Sequence, residues 1–249
     1  MLNQITPVIL TYNEAANIRR TLNALTWAKR VVVMDSFSDD ETKKICAEFA
    51  NVDFVQRKFD VLAWQWKAAI AQNINTEWVL ALDADYVVSN ELLKEIKELK
   101  PTDNTGGYVT SFVYKIEGHP LKGTLYPPIV TLYRLTGADY LQDGHAQRVQ
   151  IVGDTERLNG VMYHDDRKST ARWHQSQRNY AKQEAEKFKG LSFSELRPID
   201  KVRFCGLGPL FAGPYTLFIK GVIVNGWPGL KYAWQRVIAE TYLLWARLK

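Results

Sequence analysis

The stretch Trp78-Val79-Leu80-Ala81-Leu82-Asp83-Ala84-Asp85 is an apolar run that ends in two carboxylates one residue apart. Aliphatic residues in succession predict a strand that is buried on both faces, as in the middle of a parallel sheet. Such a strand would present Asp83 and Asp85 where the chain leaves the sheet. Two carboxylates this close repel each other unless a cation lies between them or one takes a proton. Because Mg²⁺ and Mn²⁺ prefer oxygen ligands, the stretch indicates a metal site that binds a diphosphate.

Strands and helices alternate on both sides of this stretch. The predicted strands lie at residues 5–11, 30–34, 52–56, 77–82, 108–116, 129–135 and 148–152. The predicted helices begin near residues 14 and 38, span 63–72 and 91–99, and resume at 170. This order predicts an α/β fold, with a mixed, mainly parallel, Rossmann-like sheet flanked by helices.

Acidic residues follow three of the predicted parallel strands. Glu14 comes after the first strand, Asp35 ends the second, and Asp83 and Asp85 end the fourth. Ligands of open parallel sheets bind outside the carboxyl ends of the strands, so we expect these carboxylates to share one edge. The glycine-rich patterns of Rossmann dinucleotide sites and P-loops do not occur in the sequence. Metal and side chains would therefore have to hold the phosphates.

Length and composition fit one large domain or one domain with a small appendage, and they favour a single α/β domain. The chain has 249 residues, 46% of them hydrophobic, and a net charge of +5, which favours anionic partners without selecting one. Cys46 and Cys205 lie far apart without metal-type spacing, which is typical of a reducing cytoplasm. The first residues read as a strand and lack the pattern of a secretory signal. Nucleic-acid binding is not predicted, because the first half carries no basic stripe interleaved with aromatics.

The last part of the chain differs in character, and we predict a domain at 1–195 and a helical amphipathic extension at 196–249. Residues 204–219 carry no charge but are broken by Gly and Pro, and they are too short for a membrane-spanning helix of roughly 20 residues. Further on, Lys and Arg alternate with Trp and Tyr, a pattern that suits the surface of an anionic bilayer. We expect membrane-surface contact through residues 204–249; the alternative is a C-terminal helix packed on the main domain.

Several short motifs together carry a resemblance. Thr11-Tyr12-Asn13-Glu14, the strand ending at Asp35 and Leu82-Asp83-Ala84-Asp85 resemble an inverting family 2 glycosyltransferase of the GT-A fold. Trp64-Gln65-Trp66-Lys67 and Gln142-Asp143-Gly144 are similar to motifs of lipopolysaccharide-core β-glycosyltransferases. The resemblance covers roughly residues 3 to 190.

The resemblance implies two sets of ligand-binding residues. The residues that would contact the nucleotide sugar are Thr11, Tyr12, Asn13, Glu14, Asp35, Gln65, Lys67, Asp83 and Ala84. The residues that would bind Mn²⁺ or Mg²⁺ are Asp83, Asp85 and His164. Such an ion would stabilise the departing nucleoside diphosphate.

Asp143 would be the catalytic base that takes the proton from the acceptor hydroxyl during a single inverting displacement. Many relatives have Glu at the position of Gln142 and a His-Glu pair after the loop, whereas this chain continues Gly144-His145-Ala146-Gln147. His145 and Glu156 are the alternatives for the base.

The expected partners are a nucleotide-diphosphate sugar donor and a saccharide or lipid-linked acceptor of envelope polysaccharide or lipopolysaccharide assembly. The expected location is the inner face of the cytoplasmic membrane, in peripheral contact. No nucleic-acid partner is expected.

Other interpretations of these motifs stay open at this point. Asp83-Ala84-Asp85 could cap the following helix, and Asp35 with Ser38 could form a solvated turn. The run that begins at His164 either supplies a metal ligand and phosphate-binding cations, namely Arg167, Lys168 and Arg172, or is a capped helix start. The Asp83-Ala84-Asp85 region also resembles the first motif of haloacid-dehalogenase-type phosphatases. A nucleotidyltransferase and a non-catalytic saccharide-binding scaffold are further alternatives.

Overall fold

The computed structural model of the chain describes residues 1–143, 146–189 and 191–249, apart from the side chains of Asp143 and Ala146. The chain forms two compact units. The first comprises Met1–Val113 and Tyr126–Arg167, and the second comprises Tyr114–Leu125 and Lys168–Lys249. The predicted division into a domain at 1–195 and an extension at 196–249 stays a prediction.

The first unit is built on a mixed sheet. Its strands are β1 (Ile5–Thr11), β2 (Val31–Asp35), β3 (Val52–Gln56), β4 (Trp78–Asp83), β5 (Tyr86–Val88), β6 (Thr105–Ile116), whose end enters the second unit, β8 (Ile129–Arg134) and β11 (Asp154–His164). A separate hairpin consists of β9 (Asp139–Asp143) and β10 (Ala146–Gln150). The helices are α1 (Ile18–Asn23), α2 (Thr42–Cys46), α3 (Leu62–Ile70) and α4 (Asn90–Glu98). The short strand β7 (His119–Pro120) pairs with the end of β6 in the second unit.

The sheet order is β3-β2-β1-β4-β8-β6-β11-β5. The first four strands in this order are parallel, whereas β8 pairs antiparallel with β4 and β6. The predicted fold class, a mixed sheet flanked by helices, is confirmed.

The central strand β4 is buried on both faces, as its apolar sequence predicts. Trp78, Leu80 and Leu82 pack in a cluster with side chains of α1 and α4, while Val79 packs in a second cluster with side chains of α3. All four side chains are fully buried. Alternate side chains of a strand point to opposite faces, so helices must cover both sides of β4.

The segment after β4 excludes a capping role for the two carboxylates. The chain turns at Ala84 and Asp85, forms β5, and only then begins α4. Ser89 is the N-cap of α4, and its hydroxyl accepts a hydrogen bond from the Leu92 N–H at 3.0 Å. The interpretation of Asp83-Ala84-Asp85 as a helix cap is therefore wrong.

The long strand β11 and the hairpin strand β9 are not among the predicted strands. Gly160 of β11 lies against α4 so closely that a Cβ there would come within 2.4 Å of the Leu92 Cα atom. The Glu95 carboxylate accepts from the backbone N–H groups of Asn159 and Gly160 at 3.0 and 2.7 Å. These contacts fix α4 on β11, which ends at His164.

The second unit is helical apart from the pairing of β7 with the end of β6. Its helices are α5 (Thr170–Lys189), α6 (Pro198–Phe204), α7 (Gly208–Pro214) and α8 (Trp227–Leu248). A π-helical turn, Tyr215–Ile219, and a 3₁₀ turn, Val222–Asn225, connect α7 to α8. Across the described ranges, no helix combines the length and the apolar character needed to cross a membrane.

Candidate active site at the carboxyl edge of the sheet

The carboxyl ends of β1, β2 and β4 meet at one edge of the sheet. In the parallel register, Thr11 lies beside Asp35, and Leu10 lies beside Asp83. The strand ends that precede the predicted carboxylates are therefore neighbours, as the order of the sequence implies.

Asp35 is a fully buried carboxylate that accepts hydrogen bonds on both oxygens. Its donors are the Thr11 hydroxyl at 3.0 Å, the Ser38 N–H and hydroxyl at 2.8 and 2.5 Å, and the Gln56 amide at 3.1 Å. Buried carboxylates need such donors because desolvation of their charge is costly. Asp35 therefore joins the ends of β1, β2 and β3, so the solvated-turn interpretation is wrong. Its contact with a nucleobase stays a prediction.

The loop between β1 and α1 is fixed by side chains of the next loop. Asn13 has a left-handed backbone (φ 55°), its N–H donates to the Ser38 hydroxyl at 2.8 Å, and its side-chain oxygen accepts from the Asp39 N–H at 2.9 Å. Asn tolerates this conformation better than most residues. The Glu14 N–H donates to the Thr42 hydroxyl at 2.8 Å. Tyr12, in the same loop, is half exposed.

The turn that carries the paired carboxylates is held by two elements. The buried Thr21 hydroxyl of α1 donates to the Ala84 carbonyl at 2.7 Å. The Asp165 N–H donates to the Asp85 carbonyl at 3.0 Å. Both bonds go to backbone carbonyl oxygens of the turn. They therefore hold in place the turn that carries the Asp85 carboxylate.

The buried Asp85 and the partly buried His164 form a pair at this edge. The His164 Nε2 atom lies 3.2 Å from an Asp85 carboxylate oxygen, and the imidazole packs against the rings of Tyr86 and Tyr126. Burial acts to lower the pKa of His164, but the charge of Asp85 and its hydrogen bond, together with Asp83 and Asp166, leave the pKa raised. Burial among aromatic rings also raises the pKa of Tyr86.

Asn17 links the β1–α1 loop to the segment after β11, a role that the sequence analysis did not predict. Its buried amide nitrogen donates to Glu14 and Asp166 at 2.8 and 3.0 Å. Its amide oxygen accepts from the Arg167 N–H and from Arg20, each at 2.8 Å. The only detectable signal is an Asn at the start of an amphipathic helix, and its partners lie up to 150 residues away.

The basic residues that follow His164 lie in different environments. Arg167 donates two hydrogen bonds to the buried Asp165 carboxylate, at 2.6 and 3.0 Å, and the Arg20 guanidinium lies 3.6 Å from the same carboxylate. This pairing of Arg167 favours a structural role. His164 ends β11, so the run is not simply a capped helix start. Lys168 and Arg172 belong to the second unit, and phosphate binding by them stays a prediction.

The helix α3 and the strand β9 are joined by side chains from both. The Lys67 ammonium lies 2.9 Å from the Asp139 carboxylate, and the Trp66 and Tyr140 rings stack with centroids 5.3 Å apart. The Gln142 side chain accepts from the Ala63 N–H at 3.0 Å and so caps the start of α3. These contacts fix the hairpin strand that ends at Asp143.

Gln65 is buried on the same helix and donates to the Ser36 hydroxyl at 3.1 Å. Its amide oxygen accepts from Arg57 at 2.5 Å. Gln65 therefore connects α3 to the loop after β2. Contact of Gln65 or Lys67 with a nucleotide sugar stays a prediction.

Three residues are candidates for the catalytic base, namely Asp143, His145 and Glu156. Asp143 ends β9, and its backbone pairs with Ala146, but its side chain lies outside the described part. His145 also lies outside the described residues. Glu156 is near the start of β11 and accepts from the Thr105 hydroxyl at 3.0 Å. Eight residues of extended strand, about 26 Å, separate it from His164. This distance argues against Glu156 as the base.

The donor set at the edge fits a divalent ion that also binds a phosphate. Within the described ranges, no group of three or more His, Cys, Asp or Glu side chains is arranged to hold a metal. Mg²⁺ sites commonly use one or two carboxylates, with phosphate oxygens and water completing the octahedron. Two ligands at about 2.1 Å from one ion in adjacent octahedral positions lie about 3.0 Å apart. The 3.2 Å between Asp85 and His164 is compatible with this spacing.

Similar proteins include two from Rickettsia that are described as glycosyltransferases. An uncharacterised glycosyltransferase of Rickettsia prowazekii is 24% identical over 234 residues, which cover 87% of this chain and 80% of that protein. One of Rickettsia bellii is 33% identical over 111 residues, 44% of this chain; the match spans only 37% of that protein's length. Among solved structures, S. aureus TarS has a TM-score of 0.49 at 16% identity, covering 98% of this chain and 55% of that chain.

A match to a family model assigns the chain more directly. The matching model is described as Glycosyl transferase family 2 and covers residues 6–148. These residues include β1 to β4, the paired carboxylates and the hairpin strand β9. The paired carboxylates follow the fourth strand, whereas the motif of haloacid-dehalogenase-type phosphatases normally lies on the first. Because the match covers more than half of the 249 residues, the chain belongs to glycosyl transferase family 2.

Proposed function

We propose that the protein transfers a sugar from a nucleotide-diphosphate sugar to a saccharide or lipid-linked acceptor, with inversion at the anomeric carbon. The observation that carries this proposal is the contact of Asp85 with His164 just beyond the end of β4, whose neighbour at this edge is β1. A nucleotide lying over those strand ends would bring its diphosphate toward the two side chains. Envelope polysaccharide or lipopolysaccharide assembly is the proposed setting, on the basis of the sequence resemblance alone.

The donor would be held by the rigid edge of the sheet. The loop with Tyr12, Asn13 and Glu14 would border the nucleoside, and the bonds that its N–H groups donate to the Ser38 and Thr42 hydroxyls hold that loop in place. Thr11 and Asp35 are buried, and the Thr11 hydroxyl donates to Asp35 at 3.0 Å. They would therefore act mainly by holding the wall of the donor site, formed by this loop and the strand ends, in place. A preformed wall lowers the ordering cost of binding.

Asp85 and His164 would hold Mn²⁺ or Mg²⁺, with Asp83 nearby. A bound divalent ion supplies Lewis-acid stabilisation of the negative charge on the leaving diphosphate. The protein's part is to keep both ligands oriented, which the Asp165 N–H does for the Asp85 backbone and the rings of Tyr86 and Tyr126 do for the imidazole.

Asp143 would act as the catalytic base. The acceptor oxygen attacks the anomeric carbon as the bond from that carbon to the diphosphate oxygen breaks, and the hydroxyl proton passes to the Asp143 carboxylate. One displacement of this kind inverts the configuration. The contacts of β9 with α3 would hold the base in register with the donor.

Donor binding is tested by thermal shift with UDP-, GDP-, CMP- and dTDP-sugars, each with and without Mn²⁺. We expect stabilisation that requires both the ion and one class of nucleotide sugar, and Asp85→Asn should remove it. Asp103→Asn is the matched control, because Asp103 is an exposed carboxylate in a turn of the same unit. Absence of any metal-dependent shift in the unaltered protein would contradict the proposal.

The role of Asp143 requires a separate measurement. Asp143→Asn should keep the thermal shift with donor and lower turnover by about 10²- to 10⁴-fold, the usual contribution of a general base. Turnover close to that of the unaltered protein would exclude Asp143 as the base without affecting the donor site.

A further inference from the structure

The second unit exposes a large set of apolar side chains. We name this set the apolar surface. Its members, all of them exposed, are Leu210, Phe211, Phe218, Ile219, Ile223, Val224, Trp227, Leu230 and Trp234. Ile219 is 72% exposed, and Leu210 and Trp227 are each 70% exposed. Exposed apolar residues are common singly, but a run of this size along 25 residues indicates a surface that binds something.

The start of α8 contributes one face to this surface. Trp227, Leu230 and Trp234 recur at helical spacing and are exposed, whereas Tyr232 and Ala233 on the other side are buried. Further along, Trp245 and Leu248 continue the same stripe and are also exposed. The helix is therefore apolar on the outside as well as at its packed face.

The short helix α7 is arranged in the same way. A Cβ at Gly208 would come within 2.6 Å of the Glu240 carboxylate, and one at Gly213 within 3.1 Å of Val237. These glycines let α7 lie close against α8. Leu210 and Phe211, on the opposite side of α7, are exposed.

The charge of this region is almost entirely positive. Between residues 201 and 249 the only carboxylate side chain is Glu240, and Arg203 pairs with it at 2.6 Å. The cations of the same stretch are Lys201, Arg203, Lys220, Lys231, Arg236, Arg247 and Lys249. The exposed Lys220 directly follows Ile219 at the turn between α7 and α8, where Gly221 has a left-handed backbone (φ 69°).

We infer that the apolar surface inserts into the headgroup region of an anionic lipid bilayer, with α8 lying in the membrane plane. Exposed Trp and Phe beside Lys and Arg are the residues of interfacial helices, and such helices do not span the bilayer. A second copy of the chain is a poorer occupant, because it would bring the same cations against each other. This inference goes beyond the glycosyl transfer proposed above and does not depend on it.

The test is co-sedimentation of the full chain with vesicles. We expect binding to vesicles of phosphatidylethanolamine and phosphatidylglycerol, weaker binding to phosphatidylcholine alone, and a decrease as salt rises. The variant Phe218→Ser/Ile219→Ser should bind at least about tenfold more weakly, since affinity scales with the buried apolar area. Both side chains are exposed, so the thermal midpoint should not fall.

A second variant and a control make the result specific. Trp227→Ser/Trp234→Ser should weaken binding and reduce the quenching of tryptophan fluorescence by brominated lipids. Val152→Ser changes an apolar residue of the first unit that is 70% exposed and should bind like the unaltered protein. The inference is overturned if the unaltered chain does not bind vesicles, or if both double variants bind them as tightly as the unaltered chain. So does a dimer in ultracentrifugation that excludes vesicles and dissociates in the double variants.

Discussion

At the scale of single residues, Asn17 connects four other residues of the candidate site, although the sequence does not single it out. Its amide joins Glu14, Arg20, Asp166 and the Arg167 backbone. Leaving buried donors and acceptors without partners costs about 1–3 kcal/mol. We expect Asn17→Ala to lower the free energy of unfolding by that amount and to raise the KM for the donor more than it lowers kcat.

The comparison that isolates this effect is Asn23→Ala at the exposed end of the same helix. It should leave both the melting curve and the KM nearly unchanged. If Asn17→Ala lowers stability but leaves the KM for the donor as it was, Asn17 has only a structural role and does not position the donor site.

The two cysteines give a prediction about reactivity. Cys46 is buried, and burial raises its thiol pKa to about 12, whereas Cys205 is exposed. Because the thiolate is the reactive form, only Cys205 should react quickly with a thiol reagent at pH 8. Titration of the native protein should find one fast thiol, and guanidinium should release the second. Fast reaction of both thiols in the native state would contradict the burial of Cys46.

At the scale of the elements, Gly160 is required by the contact of β11 with α4. A Cβ would meet the Leu92 backbone at 2.4 Å, where no side chain can move aside. Gly160→Ala should therefore destabilise the protein by up to about 3 kcal/mol, the upper end of the roughly 1–3 kcal/mol that is typical of overpacking. Gly221→Ala is the control: its Cβ meets nothing within 4 Å, and only the left-handed φ of 69° costs about 1 kcal/mol. Equal melting temperatures of the two variants would refute the steric argument.

The sequence predicts the elements whose pattern is local. β1 and β3 lie at their predicted bounds, and the end of β4 at Asp83 follows from an apolar run that stops at a carboxylate. β11 was not predicted because Asp154 to Arg157 are exposed and polar, and the strand is held by distant partners such as β5 and Glu95. Pairings across long sequence separations leave little trace in a single sequence.

The candidate site divides in the same manner. The carboxylates after β1, β2 and β4 could be predicted to converge, because the ends of parallel strands share an edge. The saturation of Asp35 by four donors and the pairing of Arg167 with Asp165 could not, since each depends on side-chain geometry in the folded state. The sequence shows that a residue carries a carboxylate, but it does not show whether hydrogen bonds within the folded protein already occupy the carboxylate oxygens.

At the scale of the whole molecule, the two compact units carry separate proposed tasks. The paired carboxylates lie in the first unit, and the apolar surface lies in the second. If donor binding and lipid binding are separate, Asp85→Asn should lose the metal-dependent thermal shift and keep vesicle binding. Phe218→Ser/Ile219→Ser should show the reverse.

Transfer kinetics give the sharper form of this prediction. With an acceptor anchored in vesicles, Phe218→Ser/Ile219→Ser should raise the apparent KM for acceptor by about tenfold, because the enzyme is no longer concentrated at the lipid surface. With the same acceptor freed of its lipid, kcat and KM should match the unaltered protein. An equal loss on both acceptors would mean that these side chains support the transferase fold, whereas no loss on either would mean that lipid contact does not contribute to turnover.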